Sequence, residues 1–401
     1  MNHPTRLATI NRWVLAAVAF EVFIGGGGRL FEFGPVTLRM TLFAVAVLLS
    51  LLALLTIELD EASRLAWALT ALAGVFIAAS TARGLANEAT VNNVLLDVRQ
   101  LLYFAICPFF AIAIQTVDDV IMIARIVKTV SIILALSYLV LWAALGLGLL
   151  DFQLWYDRMN GTEEFFFRGE LFFFYKGFFY LCIGVIFHLS EPRRLSLAIA
   201  ALLFTALLLT LTRGFLIFTS VAALAMVASR NRRVLVLLAP LVLGSLVAAF
   251  FLLPNTDPLI ASQRLESNLV RLDDTSFYLD HVAPLTFMLG EGFGIPLNDR
   301  LNVENTYMWL IYKQGIFGLL FWFIPLLIIC IDYRRARHTL ENRQIADAFF
   351  FSASFLFLQT ATNPFLNNSI GMAFLFMTMF SMRVLASKKR RQSLSLRTAL
   401  P

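Results

Sequence analysis

Arg213 stands in Thr210-Leu211-Thr212-Arg213-Gly214, between two apolar runs that otherwise hold no ionisable group. A charge so placed is costly in hydrocarbon, which marks it as a functional candidate. Its planar guanidinium can meet a phosphate through two parallel hydrogen bonds. The plainer reading is an interfacial arginine that snorkels to water or pairs with a carboxylate. Further on, Arg264, Asn268 and Arg271 follow at i, i+4 and i+7, which places all three on one face of a helix. Two guanidiniums on one face make a diphosphate clamp; Asp273 and Asp274, directly after, offer instead a solvated helix whose charges pair locally. Glu304-Asn305-Thr306-Tyr307 then opens a long apolar run. Glu304 could act as a general base towards a hydroxyl, held ionised by the helix N-terminus beside it. The alternative is capping, with Asn302 or Asn305 as N-cap and Glu304 complementing the dipole. Asn305 and Tyr307, next to that carboxylate, join Arg264 and Arg99 as candidate binding residues. Arg99, with Arg83 and Asp97, flanks two other apolar runs, where the three could extend a basic funnel for an anionic lipid head or serve as ordinary interfacial charges.

These residues must be carried by helices in lipid. The chain of 401 residues is 59% apolar and 14% charged, with a mean hydropathy of +0.79, far from the composition of a soluble domain. A helix crosses about 30 Å of hydrocarbon with about 20 residues. Runs of that kind at 40–57, 129–150, 195–211 and 234–253 carry no charge. Less clean ones lie at 13–31, 65–82, 101–115, 171–189, 215–229, 306–331, 346–361 and 370–385. The expected fold is an all-α integral membrane protein of about 12 transmembrane helices, in one polytopic domain over 1–386 with a basic, disordered tail at 387–401.

The large polar segment at 254–303 interrupts the apolar pattern and ends at Glu304. With both termini cytoplasmic, the inner segments hold 20 basic residues and the outer ones 10, the bias that insertion imposes. The loop at 254–303 is thus expected on the outer face. The net charge of +6 is accounted for by this topology, and no nucleic-acid partner is read from it. Glu21 and the run Gly25-Gly26-Gly27-Gly28-Arg29 make the first apolar stretch a retained helix, not a cleaved leader.

Cys107, Cys182 and Cys330 show no paired spacing, and His3, His188, His281 and His338 no ligand spacing. No nucleotide-binding glycine motif follows a strand. The expectation is a reaction without metal or cofactor. The aromatic cluster 165–167, 172–174 and 178–179 reads as a membrane-interface belt, or as a wall against which a polyprenyl chain or sugar rings stack. Gly290-Glu291-Gly292-Phe293-Gly294 reads as a bend at which backbone approaches a ligand, or a simple turn. Gly315 and Gly318 read as close helix packing. Glu21 and Lys176 are isolated charges that could pair with each other or with Arg29.

The order of these parts resembles the O-antigen ligase and O-antigen polymerase superfamily of bacterial envelope glycan enzymes. Thr212-Arg213-Gly214 is similar to its Ser/Thr-Arg-Gly signature after an apolar helix. Arg271, then Gly290, Gly292 and Gly294, then a polar-Asn pair opening a helix with Gly315 and Gly318, is similar to its second signature. The resemblance implies a GT-C-like fold in the bacterial cytoplasmic (inner) membrane and a polyprenyl (undecaprenyl) diphosphate-linked oligosaccharide donor, with membrane lipid around it, no nucleotide, no metal, and a chain-length regulator as a further partner. By the same resemblance Arg213 and Arg271 hold the donor's diphosphate. Glu304 stands where ligases carry a histidine before asparagine, which points to a polymerase, with transfer to lipid A-core by a ligase as the alternative. A lipid-linked oligosaccharide flippase is the alternative of another class; it calls for internal repeats and mid-membrane charges, whereas these charges gather at one face.

Overall fold

The computed structural model describes residues 3–56, 58–191, 193–230, 244, 258–301, 303–337 and 343–398. Among these residues the helices are α1 (His3–Ile24), α2 (Leu38–Thr56), α3 (Glu61–Ala86), α4 (Val91–Leu101), α5 (Cys107–Ala113), α6 (Val117–Gly146), α7 (Phe152–Asn160), α8 (Phe179–Leu189), α9 (Arg194–Leu209) and α10 (Arg213–Arg230). After the undescribed stretch come α11 (Pro258–His281), α12 (Pro284–Leu289), α13 (Thr306–Ala336), α14 (Arg343–Thr360) and α15 (Ser369–Thr398). Two small antiparallel hairpins complete the fold: β1 (Glu32–Phe33) with β2 (Val36–Thr37), and β3 (Phe165–Arg168) with β4 (Phe172–Tyr175). Eleven of the expected apolar runs fall on helices; the run at 234–253 apart from Gly244, Arg232, Arg233, the start of the polar loop at 254–257, Asn302 and His338 lie outside the described residues. Seven of the helical segments are long and apolar enough to cross a membrane. This is an all-α, multi-pass membrane protein.

The bundle has two chemically distinct ends. At one, α1 finishes, Tyr175 donates to Ile24 O at 2.5 Å, Arg39 at the start of α2 donates to Ser369 Oγ at 2.9 Å, and Thr306 lies 3.5 Å from Asn367. At the other, Arg12 meets Asp119, Arg230 meets Asp347 at 2.6 Å, and Arg383 meets Glu61 at 2.6 Å. The first helix begins and the last one runs out at this second end. The last helix is the central post: 83% of its apolar window is enclosed, against 22% for α2. Phe104 packs edge-on against its Phe376, Phe179 packs edge-on against its Phe374, and Phe349 stacks on the same Phe374, geometries that aromatic quadrupoles favour.

Four local expectations need revision. The run at 171–189 is not helical from its start: 172–175 is a strand paired with 165–168, and α8 begins only at Phe179. Two aromatic triplets flanking Gly169, whose φ is +70°, form a hairpin because aromatic residues pack well across a ladder and glycine alone accepts that turn conformation freely. Phe173, Phe174 and Tyr175 face the core, so half of the aromatic cluster is packing. Gly315 does pack closely, against the Met288 backbone, but it also breaks α13, with φ +70° and ψ −176°. Glu21 pairs with Arg39 at 2.9 Å, Arg29 with Glu163 at 2.7 Å, and Lys176 lies over the Phe166 ring. Finally, α15 continues through 388–391 to Thr398 where a disordered tail was expected; that stretch contains no glycine or proline to stop it.

Candidate active site

Three segments distant in sequence meet at the first end of the bundle. The α9–α10 connection is a tight turn in which Leu211 takes φ +54°, a left-handed conformation that non-glycine residues rarely adopt. Thr210 Oγ1 accepts from Thr212 N, and Thr212 O accepts from Leu216 N to start α10. The first helical residue is Arg213, half-exposed at the positive end of the helix dipole. Gly214 is required by what it touches: a Cβ there would sit 2.9 Å from Thr362 Oγ1 and 3.1 Å from Gln359 Nε2. The Thr-Arg-Gly order thus seats α10 against the end of α14 and leaves the arginine half-exposed.

The second segment is α11, which is helical across Arg264, Asn268 and Arg271 as their spacing predicts. Asp273 and Asp274 have partners other than Arg271. Asp274 is buried and meets Arg300, which also donates to Val270 O at 3.3 Å, while Asp273 accepts from Asn298 at 2.6 Å. The acids therefore staple α11 to the loop before α13, and Arg271 is left for the third segment. Its Nε donates to Glu304 Oε2 at 2.5 Å, with side-chain exposures of 42% and 41%. Arg271 is also close enough to Arg213 for the two positive charges to act on one another. Two guanidiniums, one carboxylate and a helix N-terminus thus share one net positive, solvent-reachable spot, a setting that favours an anion.

Glu304 precedes the helix and does not stand in its first turn. Asn305 is the N-cap, and its Oδ1 accepts from Tyr307 N at 3.0 Å and Met308 N at 3.3 Å. Tyr307 turns into the bundle, donates to Phe357 O at 2.5 Å, and stacks on Phe323. Both residues hold the start of α13 in place, and so hold Glu304. Arg264 lies on α11 before Arg271. Arg99 is exposed on α4, and among the described residues no contact joins it to Arg213, Arg271 or Glu304. Its neighbours have other tasks: Arg83 donates to Gly290 O, and Asp97 pairs with Lys313 at 2.8 Å.

The glycine segment approaches protein backbone. Gly292 and Gly294 have φ of +95° and +82°, and Phe293 lies directly against Gly84. Glu291 N donates to Tyr312 O and Gly292 N to Lys313 O, so the carbonyls that the break in α13 would orphan are satisfied. Two arginines escape a reading of local sequence. Arg300 holds α11 down. Arg168, at the end of β3, donates through Nη1 to Thr210 O at 3.3 Å and to Leu211 O. The signal for Arg168 was its place beside Gly169 in a hairpin of alternating aromatic faces.

No family model matches the chain. It is 28% identical over 373 residues to an O-antigen polymerase of Shigella flexneri, covering 90% of this chain and 92% of that protein. That likeness runs nearly end to end and includes both the Thr-Arg-Gly turn and the segment from Arg271 to Glu304, which the fold brings into one cluster. Over nearly its whole length, the chain is therefore similar to an O-antigen polymerase.

Proposed function

We propose that the protein is a polysaccharide polymerase that transfers a polyprenyl diphosphate-linked oligosaccharide repeat unit to a sugar hydroxyl at the outer face of the cytoplasmic membrane, without metal or nucleotide. The observation that carries this reading is the meeting of Arg213, Arg271 and Glu304 at one end of the bundle. The two guanidiniums suit the diphosphate of the donor. A diphosphate competes with Glu304 for Arg271, and a carboxylate released from that pair is free to accept a proton. The acceptor hydroxyl oxygen then attacks the anomeric carbon, and the bond from that carbon to the diphosphate oxygen breaks. The electron pair leaves with the lipid diphosphate, and the hydroxyl proton passes to Glu304. Arg213 and Arg271 stabilise the charge that grows on the leaving group.

The test is a gel of surface and lipid-linked glycans from cells lacking the protein, complemented with wild type or Glu304→Gln. Loss of the ladder, with a single repeat unit left on its carrier or on the core, supports polymerisation, and failure of the variant to restore it implicates Glu304. Full-length polymer accumulating on the carrier means a ligase. Repeat units trapped on the inner face mean a flippase.

A further inference from the structure

The turn that presents Arg213 does not hold itself. Thr210, Leu211 and Thr212 are 0%, 3% and 8% exposed, so water cannot satisfy their carbonyls. Leu211 sits in the left-handed region, a conformation that costs roughly 1–2 kcal/mol for a residue with a side chain. The carbonyls of Thr210 and Leu211 end α9, where the helix leaves acceptors without intrahelical donors and its dipole is negative. Both accept from Arg168 Nη1. The turn before them is tied in the same way, by Tyr138 donating to Leu209 O at 2.7 Å.

The hairpin that carries Arg168 is itself fixed to the same body. Phe174 of β4 packs edge-on against Phe215, two residues after Arg213, at 5.1 Å between ring centroids. Phe173 packs on Tyr138 at 4.9 Å, and Glu164, directly before β3, accepts from Gly27 N at 2.6 Å and Arg29 N at 3.1 Å. Arg168 is thus delivered to the turn by an element anchored at both α1 and α10.

We propose that Arg168 is a positioning residue, which locks the turn at 210–212 in the shape that aims Arg213 at an incoming diphosphate; this rests on the reading of Arg213 given above. Its charge is spent on two buried carbonyls, and its effect on the reaction passes through the direction of Arg213.

The experiment measures binding of polyprenyl diphosphate to the purified full-length protein by its thermal shift, together with the melting temperature without ligand. The variants are Arg168→Ala, Arg168→Lys, Arg213→Ala and the double Arg168→Ala/Arg213→Ala. Arg168→Ala is expected to weaken binding about tenfold, and Arg168→Lys, which still offers a cationic donor to the carbonyls, to recover a substantial part. The double variant should bind no worse than Arg213→Ala alone, as residues acting through one route are non-additive. Wild-type affinity in Arg168→Ala, or a loss that multiplies with that of Arg213→Ala, overturns the proposal. A lowered melting temperature with unchanged affinity does so too. Should Arg168→Ala fail to accumulate, Arg168→Lys decides on the same two readouts. If Arg213→Ala itself binds normally, the diphosphate reading of Arg213 falls, an outcome distinct from normal binding in Arg168→Ala beside a defective Arg213→Ala.

Discussion

Removing one partner of the Asp97–Lys313 pair should destabilise the protein far more than removing both. Each side chain is 1% exposed, Lys313 Nζ stands 2.8 Å from Asp97 Oδ2, and the same ammonium donates to Ile295 O at 2.5 Å. Asp97 also accepts from Gly294 N at 2.7 Å. With an effective dielectric constant of about 20, charges at that separation attract by about 6 kcal/mol, most of which offsets the cost of burying them. Lys313→Met leaves a buried carboxylate with one donor, a loss of about 3–5 kcal/mol. In Asp97→Leu/Lys313→Met neither charge remains, and the residual cost is that of the Gly294 amide and the Ile295 carbonyl. The assay is the apparent melting temperature of the detergent-solubilised protein, with the rate of thermal inactivation as a second reading. Lys313→Met should melt well below wild type, and the double variant should recover more than half of the difference. Equal melting temperatures for wild type and Lys313→Met, or a double variant less stable than either single one, would refute the reasoning.

Arg213→Lys keeps the charge and loses the fork, so polymerisation should fall about 100-fold, scored as loss of the glycan ladder at normal protein level; a wild-type ladder counts against a bidentate role. Glu304→Gln should fall at least as far, about 100-fold or more. Because its pair with Arg271 is about two-fifths exposed on both sides, it contributes little to stability, and the melting temperature of Glu304→Gln should match wild type. Gly315→Ala places a Cβ against the Met288 carbonyl at φ +70°; strain of about 1–3 kcal/mol should appear as a lowered melting temperature, and an unchanged one would mean that the break tolerates side chains.

Much of the helical layout is legible because crossing lipid demands length and hydrophobicity, which a sequence displays openly. The site is legible in part for a different reason: a charge at the end of an apolar run, as at Arg213, has few explanations, and the i, i+4, i+7 spacing on α11 says which residues share a face. Spacing could not show that Arg271 turns to Glu304 while Asp273 and Asp274 turn to Asn298 and Arg300. That choice depends on where the loop at 297–300 folds back. The pairs Glu21–Arg39 and Asp97–Lys313 were hidden because their partners lie on different helices. The aromatic hairpin and the break at Gly315 are misread by hydropathy, which registers that a segment is apolar and not whether its backbone is helical.

The break in α13 also decides what the Glu304 carboxylate moves with. Residues 306–314 are covalently continuous with the long helix that follows Gly315. Yet the last carbonyls before the break bond to Glu291 and Gly292, and the start of the segment is capped by Asn305. Mechanically the short segment is part of the loop at 284–295, with the glycine as its hinge to the shaft. A tilt of the transmembrane shaft can be absorbed at Gly315, while a pull on that loop is transmitted to Glu304. If Glu304 acts as proposed, chain elongation passes a growing polymer across this same end of the bundle, and the loop is the surface through which its bulk would be felt at that carboxylate.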